Sequence, residues 1–187
     1  MEATDLVLYV TSRVETVPGR TALQKLCYFV NVKSGAGVPF KAHYYGPYSP
    51  DIARATDSLL VFDLIEERKE SGSLSSPWVN RQGAVITDWE RRSYSLSVEG
   101  KAYWEKAPKE GKESLATADD LIEKLRKATR LDAKKLATLA KVHFLIDQNN
   151  LAADDIAGII STAKDEGWRI TEGGVRVALK SLALLQL

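Results

Sequence analysis

Residues 43–52, with the sequence HYYGPYSPDI, combine three tyrosines with a Gly-Pro pair and a Ser-Pro pair. Gly46-Pro47 is a turn signal. Ser49 is a favoured N-cap residue, and Pro50 suits the first position of a helix because its missing N–H would have no partner there. We therefore predict a rigid aromatic connector, followed by a helix that begins at Pro50.

Two helices and a short strand are predicted before this connector. Apolar residues at helical spacing predict a first helix before Pro18 and a second helix over residues 22–33. Thr21 and Gln24 have the spacing of a capping box at the start of the second helix. The alternation of residues between 40 and 45 predicts a short strand.

The segments after the third helix indicate a β-hairpin. Residues 64–68 read as a strand, 71–83 as a loop, and 84–88 with 91–96 as a second pair of strands. A further helix is expected after 97. Three helices followed by a strand, a long loop and a strand is the order of a winged helix, in which the hairpin forms the wing.

The C-terminal part of the chain is predicted to be helical. Residues 107–114 are charged and poor in apolar side chains, so we interpret them as a linker between a domain at 1–106 and a second domain at 115–187. The expected helices of the second domain include 118–129, 133–148 and 153–166, with Thr117, Asp132 and Thr171 as caps.

An internal similarity suggests how the second domain is organised. The segment SLALLQL, residues 181–187, repeats the apolar pattern of SLLVFDL, residues 58–64. One interpretation is a second helix-turn-helix module without a wing, and the alternative is a chance likeness between two leucine-rich helix ends. The predicted fold is thus mainly α (α+β), with a winged-helix-like N-terminal domain and a helical C-terminal domain.

Three short motifs carry a resemblance to known families. They are LQKLCYF at 23–29, YYGPYSPDI at 44–52 and YSLSVEG at 94–100. In order and spacing they resemble the YwgA-like family of predicted transcriptional regulators and, more distantly, the Panacea (SocA-type) antitoxin domain. The resemblance implies a compact helical domain with a winged-helix-like core and no catalytic residues. Together with the winged-helix order of the elements, it favours a DNA-binding transcriptional regulator as the leading hypothesis, with an antitoxin or adaptor that binds another protein as the alternative.

Two positions depart from these family patterns. The wing segment, 66–93, is longer than a minimal wing and carries Trp78 at its tip. The antitoxin motif prefers an apolar residue where this chain has Tyr48. The likeness to the antitoxin domain is therefore the looser of the two.

The charge balance limits nucleic-acid binding to a local patch. The chain has 26 basic and 25 acidic side chains and a net charge of +1, which provides no overall attraction to a polyanion. Basic residues occur in the third helix, in the wing and in a run of the second domain; the alternative for that run is a solvated helix face. The candidate nucleic-acid contacts are Arg54, Arg68, Lys69, Arg81, Arg91, Arg92, Lys127, Arg130 and Lys134.

Aromatic residues are the candidate protein contacts. Trp78 stands in a serine-rich loop, where it either anchors a partner or folds back onto the domain. Tyr45 and Tyr48 of the connector are the other candidates, whereas Tyr44 is expected to pack in the core.

No pattern in the sequence indicates catalysis. There is no P-loop, dinucleotide-binding or zinc-protease motif, and Cys27 and His143 lie on apolar helix faces where core packing explains them. We therefore expect no enzymatic activity, no cofactor and no metal. A single cysteine and the lack of a signal peptide or membrane span predict a cytoplasmic protein without a membrane partner. The expected partner is double-stranded DNA or another protein, and a homodimer is compatible with either.

Overall fold

The computed structural model describes residues 2–79, 83–107 and 113–187. In these ranges the protein is mainly helical, with eight α-helices and one small antiparallel hairpin. The helices are α1 (Ala3–Arg13), α2 (Gly19–Ser34), α3 (Pro50–Val61), α4 (Val98–Lys106), α5 (Asp119–Thr129), α6 (Ala133–Asn149), α7 (Ile156–Asp165) and α8 (Glu172–Leu185). The strands are β1 (Ile65–Val79) and β2 (Val85–Leu96), and a 3₁₀-helix spans Glu113–Ala118.

Helix α2 lies at the centre of the fold. Every residue from Ala22 to Val30 is buried, so α2 has neighbours on all sides of its middle turns. It packs against α1, α5, α6 and the 3₁₀-helix. The Tyr28 hydroxyl and His143 Nδ1 meet at 2.7 Å and join α2 to α6 within the core.

One hydrophobic core includes residues from both sides of the predicted linker. Leu26 of α2 and Leu139 of α6 belong to the same cluster of buried side chains. Residues 108–112 of the linker lie outside the described ranges. The two-domain division stays a prediction, and the described parts on either side of it share one interior.

The segment between α1 and α2 pairs with the hairpin. The N–H of Val17 donates to the carbonyl of Tyr94 at 2.8 Å, and the N–H of Tyr94 donates back at 2.9 Å. Ile65 and Leu96 are buried beside this bridge and attach the base of the hairpin to the helices. The arrangement is compatible with a winged helix.

The hairpin is longer and more regular than the sequence predicts. The loop predicted at 71–83 is wrong for residues 71–79, because β1 continues to Val79, and residues 80–82 of that loop lie outside the described ranges. The two strands predicted at 84–96 form one strand, β2. The register of β1 and β2 runs from Ile65 opposite Leu96 to Val79 opposite Val85, with an irregularity between Ser73 and Trp78. Serine and glycine have little strand preference of their own, and pairing with the β-branched and aromatic residues of β2 overrides it.

The connector region differs from the prediction in two ways. The strand predicted at 40–45 is wrong, since only a bridge between Lys41 and Tyr48 forms there. Gly46, with a φ of +94°, turns the chain back on itself between these two residues and leaves no room for an extended strand. The capping box is also wrong: α2 begins at Gly19, and its N-cap residue has no side-chain cap.

The caps of the C-terminal helices were predicted in part. Asp132 caps α6 and Thr171 caps α8, as predicted. The Thr117 cap is wrong because this residue lies inside the 3₁₀-helix, and α5 follows directly from it. Helix α7 begins after the expected position 153, because Asp155 accepts a hydrogen bond from the backbone and sets the N-terminus there.

Candidate interaction surfaces

The backbone of the aromatic connector is held by two side chains of α2. The Gln24 amide donates to the carbonyl of Ser49 and accepts from its N–H, both at 3.0 Å. Lys25 Nζ donates to the carbonyl of Pro47 at 2.6 Å. Gln24 and Lys25 are both buried, so these contacts satisfy connector groups that water does not reach. Two of the motifs that carry the family resemblance therefore bind each other.

The C-terminal helices hold the same connector from the other side. Trp168 Nε1 donates to the carbonyl of His43 at 2.7 Å. Lys141 Nζ lies 5.2 Å from the centre of the Trp168 ring. A Cβ atom on Gly46 would lie 2.9 Å from Lys141 Cγ, so only glycine leaves this approach open. The connector is thus clamped between α2 and the segment that precedes α8.

The tyrosines of the connector do not form its buried part. Tyr44 is 69% exposed, so the prediction that it packs in the core is wrong. The reason is that the connector buries Pro47 and Ser49, whose carbonyls bond to side chains of α2, and leaves its first two tyrosines at the surface. Tyr44 and Tyr45 meet edge to face at 4.8 Å, whereas Tyr48 is half-buried against the His43 ring at 4.9 Å. Tyr45 is therefore available to a partner, and Tyr48 less so.

The nucleophilic and titratable groups of the core are shielded from solvent. Cys27 is fully buried, and burial raises the pKa of its thiol. Burial also lowers the pKa of His143, which packs against Tyr28 as a core histidine. Burial, and then the charge of Lys141, lower the pKa of Lys25 to about 8. Cys27 and His143 thus lie in the core, as predicted.

Helix α3 presents a face on which positive charge is already paired. Arg54 forms an ion pair with Asp51 of the same helix. Arg20 of α2 pairs with Asp57 at 2.6 Å. A phosphate group approaching this face would meet one carboxylate for each guanidinium group.

Three of the predicted wing residues, Arg68, Lys69 and Arg92, are likewise paired with carboxylates. The carboxylates stand on the same strand or diagonally across the ladder, and the Tyr94 hydroxyl and the neighbouring cations lower the pKa of Glu67. The ion pairs are Arg68–Glu70 at 3.1 Å, Lys69–Glu67 at 3.5 Å, Arg92–Glu67 at 3.5 Å and Arg92–Glu90 at 2.7 Å.

The two remaining arginines of the wing differ from these. The Arg91 guanidinium group lies 5.1 Å from the centre of the Trp89 ring, in a cation–π contact. Trp89 in turn covers Gly72, where a Cβ atom would lie 3.0 Å from the ring. Arg81, also predicted to contact nucleic acid, lies outside the described residues.

The far end of the hairpin is apolar and exposed. Trp78 is 55% exposed, so it does not fold back onto the domain. Val79 and Val85 beside it are 61% and 63% exposed. The 15 residues of β1 span about 50 Å, which carries this end well away from the buried base. We call Trp78, Val79 and Val85 the hairpin tip.

A basic groove lies between the end of α5 and the beginnings of α6 and α8. It encloses about 810 Å³, and Arg130 and Lys134 stand on its rim together with Lys135. Lys127 precedes them on α5. In the described part of the chain, none of these four side chains forms an ion pair with a carboxylate. Of the predicted contacts, Arg54, Arg68, Lys69 and Arg92 are thus neutralised by carboxylates, whereas Lys127, Arg130 and Lys134, at or near the groove, are not.

Sequence reasoning missed one residue of this groove. Val177 of α8 lines the groove and is 66% exposed. It was overlooked because the buried stripe of α8 follows Val175, Ala178 and Leu182. An apolar residue that lies off the buried stripe of an amphipathic helix was the available signal.

The described ranges contain neither a candidate metal-binding site nor a candidate membrane-spanning helix. No three His, Cys, Asp or Glu side chains there are placed to hold a metal ion. No helix there is both long enough and apolar enough to cross a membrane.

No protein-family model matches the sequence, and no curated protein matches it. The resemblance to the YwgA-like family and the antitoxin domain therefore stays a prediction.

Proposed function

We propose that this chain is a non-enzymatic protein-binding module of the cytoplasm, an antitoxin or an adaptor, that presents its β-hairpin to a partner protein. One observation carries the proposal. The single cation of α3, Arg54, and three cations of the hairpin are ion-paired, while the hairpin tip exposes three large apolar side chains.

The charge of the hairpin argues against phosphate binding as its main role. Residues 65–96 contain five basic and five acidic side chains, so the segment has no net charge. The non-specific affinity of a protein for DNA scales with the number of phosphates that its cations neutralise. Here Arg68, Lys69 and Arg92 would first have to leave a carboxylate, and the carboxylates left behind would repel the phosphates.

The shape and composition of the hairpin suit a protein partner. In the described part of the chain, the outer edge of β1 lacks a strand neighbour, and the outer edge of β2 is paired only at Tyr94, by the Val17 bridge. Free edges of this kind can pair with an extended segment of another protein. The indole of Trp78 can supply a large apolar contact at the tip, and tryptophan is enriched among residues that dominate binding energy.

A DNA-binding regulator is the second candidate, and the element order favours it. In chain order, α1, the Val17 bridge, α2, α3, β1 and β2 correspond to the elements of a winged helix. In that hypothesis α3 enters the major groove and the hairpin contacts the backbone. Of the α3 side chains, Arg54 would have to exchange Asp51 for a base or phosphate.

Two variants, a single and a double one, separate these functions. We expect Trp78→Ala to abolish capture of the partner by the immobilised protein, with Trp78→Phe as the control that keeps an aromatic ring. Duplex DNA is tested in parallel by fluorescence anisotropy at several salt concentrations, with the wild type and with Arg91→Glu combined with Arg92→Glu. Micromolar DNA binding that weakens steeply with salt, is lost in the double variant and persists in Trp78→Ala would contradict the protein-binding proposal.

A further inference from the structure

The floor of the basic groove is apolar. Leu139 of α6 and Ala178 of α8 line it and are each 3% exposed, so the opening reaches down to the edge of the core. Val177 forms one wall. Leu184, at 73% exposed, lies seven residues further along α8 and therefore on the same face as Val177. Lys180 and Ser181 lie between them on this face, so its exposed apolar side chains are two separate ones, about two turns apart.

The rim of the groove is positively charged and open to a new partner. Arg130, Lys134 and Lys135 line it, and Asp132 is the acidic residue that the lining includes. One oxygen of Asp132 already accepts the backbone N–H of Lys135 at 2.9 Å as the cap of α6. The three basic side chains, without ion pairs in the described ranges, can accept carboxylates without giving up an existing contact.

We propose that this groove binds an acidic amphipathic helical segment of a partner protein. The apolar face of such a helix covers Val177 and the floor, and its carboxylates pair with the basic rim. Helix-in-groove recognition requires this combination of an apolar trough and complementary charge along its edges.

The apolar surface is what distinguishes this occupant from a nucleic acid. A phosphate backbone would pair with Lys134 and Lys135 but would leave Val177 and Leu184 in water. Burial of apolar surface contributes roughly 25 cal/mol per Å², so an occupant that covers these two side chains is favoured over one that leaves them in water. An acidic amphipathic helix can pair with the basic rim and cover both side chains.

The test uses the full chain and two fluorescein-labelled synthetic peptides of about 15 residues, each about four helical turns long. The first carries leucines at helical spacing on one face and glutamates on the other, and the second has lysines in place of the glutamates. A duplex DNA oligomer is the third probe. Binding is followed by anisotropy, and the contact is located by amide chemical-shift changes.

Two groove variants and one matched control are compared with the wild type. Lys134→Glu with Lys135→Glu reverses the rim at the start of α6, where acidic residues favour the helix dipole and so preserve the fold. Val177→Asp places a charge on an exposed wall. Val61→Asp, at a position 78% exposed on α3, is the control for an exposed valine elsewhere.

We expect the glutamate peptide to bind, each groove variant to weaken it by at least about tenfold, and Val61→Asp to leave it unchanged. The lysine peptide should not bind. Failure of the glutamate peptide to bind overturns the proposal, as does weakening by the lysine reversals but not by Val177→Asp. If duplex DNA binds, and its binding is weakened by the lysine reversals but not by Val177→Asp, the groove binds nucleic acid and the proposal is overturned as well.

This groove is separate from the hairpin tip, so the two proposals can fail independently. Trp78→Ala should leave the affinity for the glutamate peptide unchanged. The groove variants should likewise leave intact any partner that binds through the hairpin.

Discussion

Replacement of Lys25 by methionine measures how much the burial of a charged ammonium group beneath the connector costs the stability of the fold. Lys25 is 2% exposed, and its Nζ donates to the carbonyl of Pro47 at 2.6 Å. Burial, and then repulsion from Lys141, lower its pKa from 10.5 to about 8. Methionine keeps a side chain of similar length and removes the charge. The comparison isolates the cost of placing an ammonium group beneath the connector.

The expected effect follows from proton linkage. Between pH 8 and pH 10.5 the unfolded chain keeps Lys25 protonated while the folded chain releases the proton, so the stability of the wild type rises with pH. The whole interval corresponds to about 3 kcal/mol at about 1.4 kcal/mol per pH unit. Below pH 8 both states are protonated and this contribution is absent. The free energy of unfolding of the wild type should therefore rise by about 3 kcal/mol relative to Lys25→Met.

Urea denaturation of both proteins from about pH 7 to about pH 10.5 measures this difference. Burial also raises the pKa of Cys27 and Tyr28, so their ionisation in the unfolded chain lowers stability at high pH. That loss is common to both proteins and cancels in the comparison. Stability curves that stay parallel across the whole interval would refute the reasoning, because Lys25 would then bind protons equally in both states.

Three further predictions concern packing in the core. A Cβ atom at position 100 would lie 1.8 Å from the carbonyl oxygen of Leu64, so Gly100→Ala should lower the free energy of unfolding by about 3 kcal/mol; an unchanged urea midpoint would contradict this. Trp168→Phe leaves the carbonyl of His43 without its donor and should cost about 1–2 kcal/mol in thermal denaturation, whereas a neutral result would mean that water replaces the indole. Cys27, being buried, should react with a thiol reagent only as fast as the chain unfolds, and rapid labelling in native buffer would contradict its burial.

Local signals explain which parts of the fold could be predicted. Ser49 caps α3 through its own side chain, and Pro50 is the first residue of that helix. The caps Asp132 and Thr171 were recognised for the same reason, since each contacts a backbone N–H three residues on. A cap and the helix it begins are neighbours in the sequence, so a single window contains the whole interaction.

Features that depend on distant residues could not be predicted in this way. Gln24 has the spacing of a local capping residue, but its amide binds Ser49, 25 positions later. The strand through residues 71–79 forms because β2 pairs with it, and nothing in its own composition favours a strand. Tyr44 was assigned to the core by its size, whereas the connector buries Pro47 and Ser49 instead.

The candidate surfaces show the same division. The serine-rich surroundings of Trp78 left open whether its side chain is exposed or folds back, and the structure exposes it within a strand. The ion pair between Arg92 and Glu67 could not be predicted from the sequence, because it depends on the register of the hairpin. The separation of paired from unpaired cations is thus a property of the folded chain, and it is what directs the functional proposals.

The contacts of the connector join the N-terminal and C-terminal parts of the chain, so they determine how two separate fragments would behave. His43 and Gly46 belong to the first half of the sequence, but Trp168 and Lys141, which enclose them, belong to the second. Fragments 1–106 and 113–187 would each expose apolar surface that the other covers. Neither half should persist as a folded protein alone, and the two expressed together should reassociate without a covalent link. The molecule is therefore suited to fragment complementation, in which recovery of the folded structure reports that the two fragments have associated.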